Sequence, residues 1–309
     1  MINRRLVRQA LPFLSLLVVL LATFYVQPRA MSYFGMNLML QYAIPIALAT
    51  IAQMFVITVN DLDLSIGPFV GLVGCISATL LLENPVLGVM VLLLLILAYG
   101  AIGALIHVRN LPSIVVTLGL SFVWLGIAVL ILPSPGGKAP LWLKSLMSVQ
   151  LPVIPFPVIA AIVIGGVVHV ALMSSSYGVI ARGGGGNSKA LTRAGWSMLK
   201  TKVIMYMLCG FFGVLSGLCL LGLTTSADAH VADRYTLYSI AGVILGGGEF
   251  IGGRVSPMGA VIGALTLALA GSFLIFLKIS PDWQIGAQGA ILIIVLALRA
   301  AVSYGERRA

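Results

Sequence analysis

The sequence predicts an all-α polytopic membrane protein of about ten transmembrane helices, both termini cytoplasmic, with broken or re-entrant segments. Three observations predict it. Of 309 residues, 60% belong to the AVILMFWYC class and 8% are charged, with mean hydropathy +1.13, whereas a soluble domain carries about a quarter charged residues. Apolar runs near the roughly 20 residues that a helix needs to cross hydrocarbon recur along the whole chain. Basic residues are distributed unevenly among the loops between those runs.

The runs lie at 11–26, 38–59, 67–82, 86–106, 111–132, 153–172, 203–223, 237–247, 259–277 and 285–301. The third and eighth are short for a straight crossing. The first follows Arg4, Arg5 and Arg8 and resembles a secretory leader, with Ala30 near an imaginable cleavage site. The same flank marks a first span behind a cytoplasmic amino terminus, and it is read as span one. With that topology, 13 of the 18 basic residues fall on inner segments and the other 5, Arg29, Lys138, Lys144, Arg234 and Lys278, fall outside. This is the bias of the positive-inside rule, and an odd number of spans would spoil it. The whole of 1–309 is expected to be one transmembrane domain with no soluble unit attached.

A net charge of +10 raises nucleic acid as a partner, but no basic helix with interleaved aromatics and no zinc-type spacing accompanies it. Cys75, Cys209 and Cys219 sit in apolar runs and read as small packing residues rather than disulfides or metal ligands. His230, beside Asp228 and Asp233 in an outer loop, reads as a polar loop rather than a metal site. No catalytic constellation appears, so no enzyme activity and no cofactor are assigned to this chain.

Between the second and third runs stands TVNDLDLSIG, residues 58–67. Asn60, Asp63 and Ser65 suit the start of the next helix, with Gly67 and Pro68 following. The competing reading makes Asn60, Asp61, Asp63 and Ser65 part of a translocation path or gate, together with the aromatics Phe55, Phe122 and Trp124. An ion relay through Asp61 and Asp63 is a third reading. The loop at 133–152 reads as an outer interfacial segment anchored by Trp142.

The loop at 173–202 is the largest inner feature, with five basic residues and no acid. Gly183 to Gly186 lack the G-K-[ST] ending of a phosphate loop. Asn187 or Ser188 caps a short helix with Lys189 to Thr192 as its body, and Gly195 supplies the terminating geometry. Such a basic, exposed helix reads either as a docking element for another protein or as a charge-bearing loop that sets topology. Further on, Gly242, Gly246, Gly259 and Gly263 have the spacing of four that lets helix backbones approach in lipid. Gly246, Gly247, Gly248, Gly252 and Gly253 read as a helix break near the inner face, with Glu249 able to pair with Arg254.

These residues resemble the membrane permease subunits of bacterial ATP-driven (ABC) importers, in the ribose, galactose, arabinose and xylose branch, and more distantly branched-chain amino-acid permeases. DLDLSIG resembles the signature GGIDLSVG, coinciding at Asp63, Leu64, Ser65 and Gly67. The inner loop resembles GRxxxAxGGNxxAAxxxGI at Gly178, Gly185, Gly186, Asn187, Ala190 and Gly195. GGGEFIGGRVSPMGAVIGA resembles GGxSxxGGxGxxxGxxxGA. The resemblance covers nearly the whole chain and implies a subunit of an importer in the bacterial cytoplasmic membrane. Its partners would be cytoplasmic ATPase subunits, which bind ATP and Mg, a periplasmic solute-binding protein, and a second permease copy or close homologue. The ATPase coupling site would comprise Asn187, Lys189, Ala190, Arg193 and Gly195. The chain departs from the family at Asn60 and Asp61, where two glycines are usual, and at Val179, Tyr238, Ser239 and Glu249. A sugar is the expected solute, with a polyol, a nucleoside or a branched-chain amino acid behind it, and an ion-driven secondary transporter is the rival class.

Overall fold

The computed structural model describes residues 4–280 and positions 283, 286, 287, 289, 290, 293 and 297. In chain order the helices are α1 (Arg4–Val26), α2 (Tyr33–Leu40), α3 (Ala43–Thr58), α4 (Ile66–Ala78), α5 (Leu80–Glu83), α6 (Pro85–Val108), α7 (Ser113–Ile131), α8 (Leu141–Met147), α9 (Phe156–His169), α10 (Ser176–Gly186), α11 (Ser188–Arg193), α12 (Met198–Thr224), α13 (Tyr235–Leu245) and α14 (Pro257–Phe276). A 3-10 turn joins α1 to α2, and a π turn extends α9 to Ser174.

Seven stretches among the described residues are long and apolar enough to cross a membrane: Tyr33–Thr58, Ile66–Glu83, Pro85–Val108, Ser113–Ile131, Phe156–Ser174, Met198–Thr224 and Pro257–Phe276. Ala10–Val26 and Tyr235–Leu245 are shorter apolar helices. The first run lies in the 23-residue α1 and the eighth in the 11-residue α13, so the described residues support a polytopic all-α bundle with seven candidate crossings. Most of the tenth run, 285–301, lies outside the described residues.

Packing follows from which helices are apolar all round. Every residue of α3 is buried, and the helix is the hub of the bundle, touching α12, α13 and α14. α6 and α7 are equally apolar, but Val86, Met90, Leu94, Val115, Phe122 and Leu130 face outward. Only lipid makes an apolar outer surface of that extent stable. α12 lies in the groove between α3, α4 and α6. There Gly210 meets the Tyr99 ring and Gly213 meets Phe69, so a β-carbon at either would fall about 3 Å or less from an aromatic carbon. Small residues at a helix interface give close approach where lipid offers no hydrophobic drive.

The loop at 133–152 contains a short helix and is tied to the bundle. Trp142 is exposed, while its neighbour Leu143 is buried against Gly222 of α12. Gly136 and Ala227 exchange backbone hydrogen bonds of 2.9 and 2.8 Å, tying this loop to the one before α13.

Candidate functional site

The interruption between α3 and α4 is where backbone chemistry is most demanding. Irregular backbone at membrane depth is tolerated only when buried in protein that satisfies its polar groups. α3 ends on Asn60 at φ 61°, with Asn60 N–H donating to Ile57 C=O at 3.0 Å and Asp61 N–H to Val56 C=O at 3.2 Å. That is the paired-bond left-handed cap, for which asparagine is the usual substitute for glycine.

From there the backbone groups of Leu62, Asp63, Leu64 and Gly67 find side chains. Leu62 N–H donates to Ser113 Oγ at 3.1 Å and Leu64 N–H to Thr117 Oγ1 at 3.0 Å. Gln53 of α3, with its amide oriented to match, donates to Asp63 C=O at 2.9 Å and accepts from Asp63 N–H at 3.1 Å. Gly67 N–H donates to Thr236 Oγ1 at 3.0 Å.

Asp63 is fully buried, and its carboxylate is saturated by this environment. It accepts from Ser65 N–H and Ser65 Oγ at 2.7 Å each, from Tyr99 Oη at 3.0 Å, and from Cys209 Sγ at 3.6 Å. Tyr99 stacks on Trp124 with centroids 6.3 Å apart, and Phe69 stands edge-on to Tyr99 at 4.6 Å. Ser65 occupies the N-cap of α4 but caps nothing with its side chain. Its hydroxyl is committed to Asp63, which corrects the expected serine cap. Asp63 therefore acts as an internal turn former, and Asn60 points away from α4 altogether.

The neighbouring polar residues face the other way, toward the end of the bundle that carries 173–202. Asn60 Nδ2 donates to Gly185 C=O, and its Oδ1 accepts from Gly252 N–H at 3.1 Å. Asp61 pairs with Lys202 Nζ at 2.7 Å. Gly185 abuts the Thr58 carbonyl and Gly253, at φ 63°, abuts the Arg182 carbonyl, so neither has room for a β-carbon. Three segments distant in sequence meet here: the break after α3, the end of α10, and the turn before α14.

The 173–202 segment itself is two helices. Gly183 to Gly186 complete α10 rather than forming a loop, and Ser175 caps that helix at Gly178 N–H, 3.0 Å. Asn187 Oδ1 accepts from Ala190 N–H at 3.0 Å to start α11. Gly195 at φ 84° ends it, with Trp196 N–H on Leu191 C=O at 3.2 Å. Leu191 anchors α11 inward, while Lys189, Ala190, Arg193 and Trp196 are exposed.

Asn60, Asp61, Asn187, Lys189 and Arg193 thus border one cleft of about 840 Å³, with His107, Asn110 and Lys202 completing its polar wall. Asp63 and Ser65 are not part of it. Phe55 is buried beside Phe212, with centroids 5.5 Å apart, Trp124 is buried beside Tyr99, and Phe122 projects outward. The three aromatics are not gathered around the polar stretch.

At the second break, Gly246 lies against Gly259 and Gly242 against Gly263, so closely that a β-carbon at any of them would fall on backbone or side-chain atoms of the facing helix. Gly247, Gly252 and Gly253 all have positive φ. Glu249 and Arg254 pair at 3.5 Å on the surface.

In the loop before α13, His230 Nδ1 lies 2.9 Å from Asp233 Oδ2. That hydrogen bond, with the carboxylate charge behind it, raises the imidazole above its ordinary range. The contact is therefore strongest at acid pH and fades as pH rises through the raised value. Asp228 accepts the His230 backbone N–H at 2.9 Å, and no group of three potential metal ligands occurs among the described residues.

Sequence reading missed Gln53, Tyr99, Ser113, Thr117, Lys202 and Thr236. Ser113 and Thr117 carried a signal: two hydroxyls four apart on an apolar helix share a face. Gln53, the amide in the middle of an apolar run, carried another, because a buried amide needs a partner.

Interrupted helices converging on an exposed basic segment, within an all-α apolar bundle, define a multi-pass membrane permease. Residues 35–296 match the family described as branched-chain amino acid transport system / permease component, and the chain belongs to that family. It is 26% identical over 304 residues to a ribose import permease protein of Haemophilus influenzae, covering 96% of this chain and 94% of that one. It is 27% identical over 298 residues to a ribose import permease protein of Bacillus subtilis, covering 93% and 91%. It is 28% identical over 313 residues to a galactose/methyl galactoside import permease protein of Escherichia coli, covering 93% and 92%. No solved structure gives a significant match. The chain is the permease component of a transport system and not itself an enzyme.

Proposed function

We propose that this chain is the permease subunit of an ATP-driven importer that carries a small polar solute, a sugar first of all, into the bacterial cytoplasm. The observation that carries this reading is α11. This capped, basic helix, held between two longer ones and anchored by Leu191, leaves Lys189, Ala190 and Arg193 exposed for contact with another protein. In an importer that protein is the ATPase, and the break after α3 and the turn before α14, both in contact with α10, would receive its movement. Two permease copies, two ATPase subunits and a periplasmic binding protein complete the assembly, with both permease termini cytoplasmic. Each permease would be a single transmembrane domain, 1–309. ATP and Mg belong to the ATPase.

The sugar assignment draws on the ribose and galactose permeases among the relatives. An ion relay gains no support, because Asp61 is paired with Lys202 and Asp63 is saturated by donors. For the path itself, Asp63, Ser65 and Trp124 serve it by shaping the α4 entry rather than by touching solute.

The test is ATP hydrolysis by the copurified complex with its binding protein, across pentoses, hexoses, polyols, nucleosides and branched-chain amino acids. Stimulation by one sugar is the expected result. Stimulation by a branched-chain amino acid and by no sugar would overturn the sugar assignment while leaving the importer class intact.

A further inference from the structure

The cleft beside α11 is wider than a helix contact needs, and its charges do not cancel. Lys189, Arg193 and Lys202 line it against a single acid, Asp61, which Lys202 already engages at 2.7 Å, and the His107 imidazole lies on the same wall. Lys189 and Arg193 form no ion pair among the described residues. The amide nitrogens of Asn110 and Asn187 add neutral donors to the same wall. A surplus of cations and amide donors around an open space of about 840 Å³ suits an oxyanion with several acceptor oxygens, and a phosphate takes such charge-assisted bonds best.

A second, independent feature says where that phosphate comes from. His107 and Asn110 stand at the junction of α6 and α7, and the residues around them, Leu105, Val108, Leu111, Ile114 and Val115, are exposed and apolar. A soluble phosphate ester would have no use for this rim. A phospholipid has, since its acyl chains need an apolar surface directly beside the place where its headgroup binds. We propose that the cleft is a binding site for the phosphate of an anionic phospholipid, whose chains lie along the adjoining ends of α6 and α7. Basic pockets at helix ends on the cytoplasmic side of a membrane are favourable places for such headgroups. A lipid seated there would contact α11 and the break after α3 together, so the membrane's composition would bear on the docking helix.

The site is read from this chain's own residues, and its test needs no transport activity, so it stands or falls apart from the importer reading. The full-length permease in mild detergent is exposed to equal phosphatidylglycerol and phosphatidylcholine, and retained lipid is counted by native mass spectrometry. Wild type is expected to retain phosphatidylglycerol preferentially. Lys189→Gln with Arg193→Gln is expected to lower that retention about twenty-five-fold, near fivefold for each cation removed from an anionic surface, with phosphatidylcholine unchanged.

Thermal unfolding checks that the double variant is folded. If it is not, Lys189→Gln alone carries the comparison, with a loss of about fivefold expected. Equal retention of the two lipids, or undiminished phosphatidylglycerol on the variants, overturns the proposal. Glycerol phosphate in excess separates the sources: displacement of bound lipid supports a lipid phosphate in the cleft. Binding of glycerol phosphate with no phosphatidylglycerol retained assigns the cleft to soluble esters and overturns the lipid.

Discussion

Asn60 combines a backbone requirement with a side-chain one. Its φ of 61° is a conformation that costs an ordinary L-residue about 1–2 kcal/mol, and asparagine adopts it more readily than most. Its amide then bridges Gly185 C=O and Gly252 N–H. Glycine would keep the first property and lose the second, whereas alanine would lose both. Asn60→Gly is therefore expected to destabilise the permease by about 1–2 kcal/mol, one partly exposed pair of hydrogen bonds. Asn60→Ala is expected to cost about 1 kcal/mol more. Thermal unfolding of the purified variants measures this difference, and equal losses would show that the left-handed turn carries no strain. The sequence placed Asn60 and Asp61 as departures from a glycine pair, which was legible. Their partners were not, because Gly185, Gly252 and Lys202 lie more than a hundred residues away and no local pattern encodes that meeting.

The helices repeat one ending. α3, α6, α11, α13 and α14 each close on a residue with positive φ, namely Asn60, Asn110, Gly195, Gly247 and Lys278. In each, the following N–H reaches back to the carbonyl five residues earlier. This cap satisfies the last carbonyls without a partner helix. Where the stop residue is glycine, as at Gly195, the sequence announced it. At Asn110 and Lys278 it did not, since tertiary packing overrides the preference. The crossing of α13 and α14 was announced by glycine spacing alone, and there the backbones touch. Gly259→Val is expected to lower stability by about 3 kcal/mol, because overpacking at a backbone contact has no room to relax. Gly166→Ala, mid-helix with open space around it, is expected to be neutral or slightly stabilising. Unfolding midpoints compare the two, and a tolerated Gly259→Val would mean that the helices part without cost.

On the scale of the whole molecule, composition and periodicity gave the membrane class and the positions of most helices. They could not give the number of crossings. α13 is only 11 residues long, and a helix that short spans about 16 Å at 1.5 Å per residue. What organises the bundle is the buried α3, with one break at its end wired to side chains from α3, α6, α7, α12 and α13. That break is joined through Asn60 and Asp61 to the base of α12, the end of α10 and the turn before α14. In the importer reading, a push on α11 reaches both breaks through this junction, so energy supplied outside the chain moves helices within it.

The most direct test of that claim is solute uptake into vesicles containing the permease, its ATPase and its binding protein. Uptake that requires ATP on the ATPase side, and is indifferent to an imposed proton or sodium gradient, is the expected result. Uptake by the permease alone, driven by an ion gradient without ATP, would contradict it.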